Sequence, residues 1–102
     1  MMILTYQQSG GSFETSISDP VVVRLEENPT TGYRWTLEKK DNLELERDYF
    51  ERESSAIGAA GFRVFIFRTP RAGLQELRMK NWREWEGDSS IICRFSANIL
   101  VR

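Results

Sequence analysis

The stretch Ile91-Ile92-Cys93-Arg94-Phe95-Ser96-Ala97-Asn98-Ile99-Leu100-Val101 decides the fold. Every second residue, from Ile91 through Cys93, Phe95, Ala97 and Ile99 to Val101, is apolar or small, and most residues between them are polar. A period of two places one set on the dry side of a pleated strand and leaves the other side wet. The same pattern recurs upstream. Val21, Val23 and Leu25 alternate with Val22, Arg24 and Glu26; Tyr33, Trp35 and Leu37 with Arg34, Thr36 and Glu38; Leu77 and Met79 with Arg78 and Lys80. Phe13, Thr15 and Ile17 alternate after Gly10-Gly11, and residues 2–8 read as a first strand. Residues 62–67 are apolar on both faces, the mark of a central strand.

The ambiguous segment is 41–52. Its Leu43, Leu45 and Tyr49 fit a period of two with Arg47 as a defect, while its Glu and Arg content would also suit a helix. It reads as a strand because everything around it is β. Turn chemistry separates the runs: Gly10-Gly11, Asp19-Pro20, Asn28-Pro29, residues 58–61, Thr69-Pro70 with Gly73, and Gly87-Asp88. Seven or eight short strands with this spacing predict an all-β chain, an antiparallel β-sandwich forming a single domain over 1–102. Trp35 is expected between the sheets. Trp82 is expected to help close the core, and Cys93, in phase with Ile91 and Phe95, to point inward as a small hydrophobe. The Cys–Trp–Cys spacing of antibody domains is absent, so any immunoglobulin likeness is architectural.

Composition narrows the function. The chain has 102 residues, 40% apolar and 28% charged, which suits one soluble core. With no His and one Cys, Ser-His-Asp and Cys-His machinery and the usual tetrahedral zinc sites cannot be assembled from this chain alone. No metal or other cofactor is expected, and no internal disulfide can form. The net charge of −1, without a basic stripe carrying interleaved aromatics, gives no reason to expect nucleic acid. No apolar run approaches the roughly 20 residues of a membrane span. The N-terminus has neither a basic n-region nor a long apolar h-region, so a cytoplasmic location is expected, or a periplasmic or secreted one if a leader has been removed. Glu84 and Glu86 are the nearest thing to an acid/base pair, but residues two apart on a strand more often form a solvated stripe, so no enzyme is expected.

Three loops stand out. Asn28-Pro29-Thr30-Thr31-Gly32-Tyr33 combines a fixed φ at Pro29, a permissive Gly32 and an Asn able to bond its own backbone, giving a stiff loop with Thr30 and Thr31 at its tip. Ser54-Ser55-Ala56-Ile57-Gly58-Ala59-Ala60-Gly61 is small and nearly free of side chains, so a partner can approach its backbone. Trp82-Arg83-Glu84-Trp85-Glu86-Gly87 sets two Trp around an Arg, residue types enriched at binding hot spots. Taken singly, each loop also reads as an ordinary connection or, for the third, an exposed cation–π pair.

Together the three resemble the motifs of the chagasin-type inhibitors of papain-like cysteine proteases. Asn28-Pro29-Thr30-Thr31-Gly32-Tyr33 is similar to that family's hallmark motif. Gly58-Ala59-Ala60-Gly61 stands where a Gly-x-Gly-Gly motif follows, and Arg83-Glu84-Trp85 where Arg-Pro-Trp follows. Order, spacing and length agree over essentially the whole chain. The resemblance implies an immunoglobulin-like sandwich whose three loops form a wedge. Thr30, Thr31 and Gly32 would enter the cleft, with Thr31 nearest the catalytic Cys. Gly58, Ala59, Ala60 and Gly61 would lie along one wall, and Arg83 and Trp85 against the other. The implied partner is a papain-like, cathepsin-L-type cysteine protease, met by a monomer. Two departures stand out: Ala60 adds a methyl where the family has Gly, and Glu84 replaces Pro, which is expected to loosen the third loop. The alternative is an immunoglobulin-like module that binds a partner other than a protease.

Overall fold

The computed structural model describes residues 1–53 and 60–102. Its strands are β1 (Met2–Thr5), β2 (Gly11–Thr15), β3 (Val21–Glu27), β4 (Arg34–Lys39), β5 (Glu44–Arg52), β6 (Gly61–Arg68), β7 (Gly73–Trp82) and β8 (Cys93–Val101). They form two four-stranded sheets, ordered β1-β3-β6-β5 and β2-β8-β7-β4. The sandwich expected from alternation is present, and β6, apolar on both faces, is an interior strand of its sheet.

The core follows the period of two. Val21, Val23 and Leu25 on β3, Phe65 and Phe67 on β6, Leu77 and Met79 on β7, and Phe95, Ala97, Ile99 and Val101 on β8 are buried in one cluster with Leu4, Trp35 and Leu43. Burying such side chains stabilises the fold by about 1.5–3 kcal/mol each. Polar residues that share the phase are buried too: Glu27 on β3, and Gln75 and Asn81 on β7.

Several details depart from the sequence reading. First, the sheets are mixed, because β1 pairs parallel with β3 and β2 parallel with β8. The chain turns back through a 3₁₀ turn at Tyr6–Gln8 and Gly10 (φ +85°), which shortens the expected first strand and sends its two arms to opposite sheets. Each arm then lies beside a strand running its own way. Second, β5 carries a bulge between Leu45 and Arg47, where the defect in alternation fell. An extra residue reverses the phase, so Leu45 pairs with core-facing Phe67 while Tyr49 pairs with Val64 on the outer face. Ile17 lies beyond β2 and is exposed.

Third, Trp82 does not help close the core. It is out of phase with Leu77 and Met79 and lies half-buried on the outer face. There its Nε1–H donates to Thr36 Oγ1 at 3.0 Å and Lys80 Nζ sits 3.4 Å from its ring centroid. Trp35 is the core tryptophan, with its ring 6.1 Å from that of Tyr6. Fourth, Cys93 packs against the core as its phase requires but is only half-buried, beside Trp35 and Asn81 along a cleft, and Ile91 precedes the strand. Burial pushes the Cys93 thiol up from its ordinary value.

Candidate functional site

Strand register alone gathers the loops. Glu27, the last residue of β3, pairs with Gly61, the first residue of β6. Arg34, the first residue of β4, pairs with Trp82, the last of β7. The roots of loop 1 (28–33) and loop 2 (53–60) therefore lie side by side in one sheet. Loop 1 leaves for the other sheet beside the root of loop 3 (83–92), so all three issue from one end of the sandwich.

Loop 1 braces itself. Asn28 is extended, and its Oδ1 accepts from Thr30 N–H at 3.1 Å and from Thr30 Oγ1 at 2.6 Å. This satisfies an N–H at the start of a single 3₁₀ turn, Pro29–Thr31, in the manner of a helix cap. The Thr31 hydroxyl donates to Asn28 O at 2.8 Å and accepts from Tyr33 N–H at 3.3 Å. Gly32 ends the turn at φ +80°, a left-handed conformation that side chains disfavour. Thr30 and Thr31 are exposed, as expected of a tip.

Loop 3 is held differently. Two 3₁₀ turns, Glu84–Glu86 and Asp88–Ser90, follow one another through Gly87 (φ +76°). The Ser90 hydroxyl accepts from Arg83 N–H at 2.9 Å and lies 2.7 Å from Gly87 O as a donor. Ile92 N–H returns to Asn81 O at 2.9 Å. At Glu84 the chain turns, with Glu86 N–H and Gly87 N–H bonded to Arg83 O and Glu84 O. Trp85 stands out at 72% exposure.

Loops 1 and 3 meet through two residues of loop 3, Arg83 and Trp85. Arg83 Nε donates to Thr31 O at 3.1 Å, and its guanidinium carbon lies 4.4 Å from the Tyr33 ring centroid. Its Nη1 also faces Glu86 at 3.4 Å. The Trp85 ring covers Gly32 so closely that a Cβ there would lie 2.5 Å from Cη2. The glycine thus serves both the left-handed turn and the seat of the indole.

Of the second motif, Gly58 and Ala59 lie outside the described residues. Ala60 is exposed. Gly61 is corrected from a presented residue to a packing one: it is buried inside the sheet, and a Cβ there would run into Glu51 O and the Phe50 ring. Sequence reasoning also missed Glu27, buried beneath loop 1. Its Oε2 accepts from Trp35 N–H at 2.9 Å, and its Oε1 from Arg63 Nε and Nη2 at 3.2 and 3.1 Å. The signal was there, since Glu27 continues the buried phase of Val21, Val23 and Leu25. Among the described residues no cluster of His, Cys, Asp or Glu converges to hold a metal ion.

A profile described as "Chagasin family peptidase inhibitor I42" matches residues 14–99. The chain belongs to the chagasin family of peptidase inhibitors. It is similar to chagasin of Trypanosoma cruzi, 27% identical over 100 residues and 91% of each chain. It is similar to amoebiasin-2 of Entamoeba histolytica, 25% identical over 104 residues, covering 98% of this chain and 85% of that one. In structure it resembles the cysteine protease inhibitor EhICP2 from Entamoeba histolytica, with a TM-score of 0.89 at 24% identity, over 99% of this chain and 95% of that one. As a member of the chagasin family the chain is an inhibitor of peptidases and not itself an enzyme.

Proposed function

We propose that this protein inhibits papain-like cysteine proteases reversibly, with loop 1 entering the cleft and loop 3 gripping its rim. The observation that carries the reading is the pair of contacts joining the loops, Arg83 to Thr31 O and Trp85 to Gly32. They hold an exposed tip and an exposed indole in one fixed arrangement, in a chain whose family is inhibitory.

The physics is occlusion. The tip is a 3₁₀ turn whose carbonyls at Asn28, Pro29 and Thr31 already accept internal hydrogen bonds. It fills space without offering an extended peptide in attack geometry, so the thiolate gains no acyl-enzyme from it. Preformed loops also leave less ordering entropy to oppose association. Three loops can cover the roughly 800 Å² per partner of a standard interface, with Trp85 as the anchor residue type.

The test compares binding to papain with an open active site and to papain whose catalytic Cys carries an irreversible blocker. Binding to the open enzyme and its loss on the blocked one supports cleft occupation. Equal binding to both would place the contact elsewhere on the protease and favour a general binding module.

A further inference from the structure

We propose that Glu27 is a positioning residue for inhibition, a buried clamp that holds the roots of loops 1 and 2 in their binding arrangement before a protease arrives. The proposal rests on the inhibitory reading above.

Glu27 is 3% exposed at a position whose phase otherwise belongs to Val and Leu. A carboxylate there is costly unless its oxygens are paired. Both are paired, and the partners' places in the chain matter more than their number. Trp35 follows Tyr33 by two residues, so the bond from its N–H closes loop 1 across its neck. Arg63 follows Gly61 by two residues, on the strand that leaves loop 2. Its Nη1 reaches Asp48 at 3.3 Å, on the strand that enters loop 2. One carboxylate thus ties the flanks of both loops to a single point.

Stability alone is a poor reason for this device. A buried ion pair stabilises a fold little better than apolar side chains of the same volume. Apolar residues could not, however, satisfy the Trp35 N–H, which belongs to β4 at the edge of its sheet. Nor could they fix the angle between β3, β4 and β6. The Trp35 indole adds a second tie, donating to Glu26 O at 2.8 Å, where β3 has outrun its pairing with β1.

A clamp of this kind has its own kinetic signature. When it is cut, only a fraction of molecules present competent loops, so the association rate falls by that fraction. The contacts in the formed complex are unchanged, so the dissociation rate is not affected. Loss of a contact residue does the reverse and speeds dissociation.

The decisive variant is the double substitution Glu27→Met with Arg63→Met. It strands no buried charge and cuts both ties at once, and because it leaves the Trp35 N–H without an acceptor, a modest fall in thermal stability is expected. With papain, the association rate constant is expected to fall about tenfold, with the dissociation rate within about twofold of the parent. A parental association rate, or a loss carried by dissociation, overturns the proposal. If the double variant folds poorly, Arg63→Lys, which keeps the charge and one bond, is read by the same two rates. Amide exchange in the free protein is the arm that needs no protease. Thr31, Gly32 and Trp35 are expected to exchange about tenfold faster in the double variant, relative to Leu77 and Phe95. Unchanged exchange overturns the clamp. A parent chain that fails to inhibit papain overturns the inhibitory reading instead, and the exchange result still stands.

Discussion

Loops 1 and 3 sit side by side yet are built in opposite ways. Loop 1 spends its polar side chains on itself: Asn28 and Thr31 bond backbone groups of the same turn. Loop 3 closes through short turns and Ser90, which leaves Trp85 free to project. The difference assigns the work. Loop 1 supplies a shape, loop 3 supplies a sticky surface, and Gly32 with Arg83 is where one fixes the other.

The most damaging way to break that division is Gly32→Ala. The new methyl forces a left-handed residue and collides with the Trp85 ring, so both loops lose their arrangement at once. Strain of about 1–2 kcal/mol and loss of an anchor of about 2 kcal/mol together predict inhibition weakened by about a hundredfold or more. Steady-state inhibition constants would show it, and the strain should also lower the thermal midpoint by several degrees.

Trp85→Ala tests the sticky half alone. Truncation of such an anchor costs about 2 kcal/mol or more, about thirtyfold in affinity, and the loss should lie in the dissociation rate. An unchanged inhibition constant would remove Trp85 from the site. Asn28→Ala tests the shaping half. Losing a capping side chain costs about 1 kcal/mol, so affinity should drop about fivefold, this time through the association rate. If Asn28→Ala and Trp85→Ala altered the same rate constant, the division between shape and surface would be wrong.

Much of this could be read from the sequence, and what could not has a common cause. Alternation reports which face a residue occupies, and it placed the strands, the interior position of β6 and the burial of Trp35. The defect at Arg47 marked a real bulge. Trp82 was misplaced because its size was weighed above its phase. Followed strictly, the phase would have put Trp82 outside and Glu27 inside. The mixed pairing of β1 and β2 left no trace in alternation, because parallel and antiparallel neighbours impose the same period. The three motifs located loops 1 and 3 correctly. They could not separate the exposed Ala60 from the buried Gly61, since a glycine serves backbone approach and tight sheet packing equally well.

The central claim is that the end built from residues 28–33 and 83–92 occupies the cleft of a papain-like protease. Its most direct measurement is a titration of papain activity with the parent chain and with Thr31→Arg, whose long charged side chain replaces an exposed tip residue outside the core. The account predicts tight, reversible inhibition by the parent and its loss in the variant, with thermal stability lowered only by the two hydrogen bonds of the Thr31 hydroxyl. Equal inhibition by both chains, or none by the parent at micromolar concentration, would contradict it.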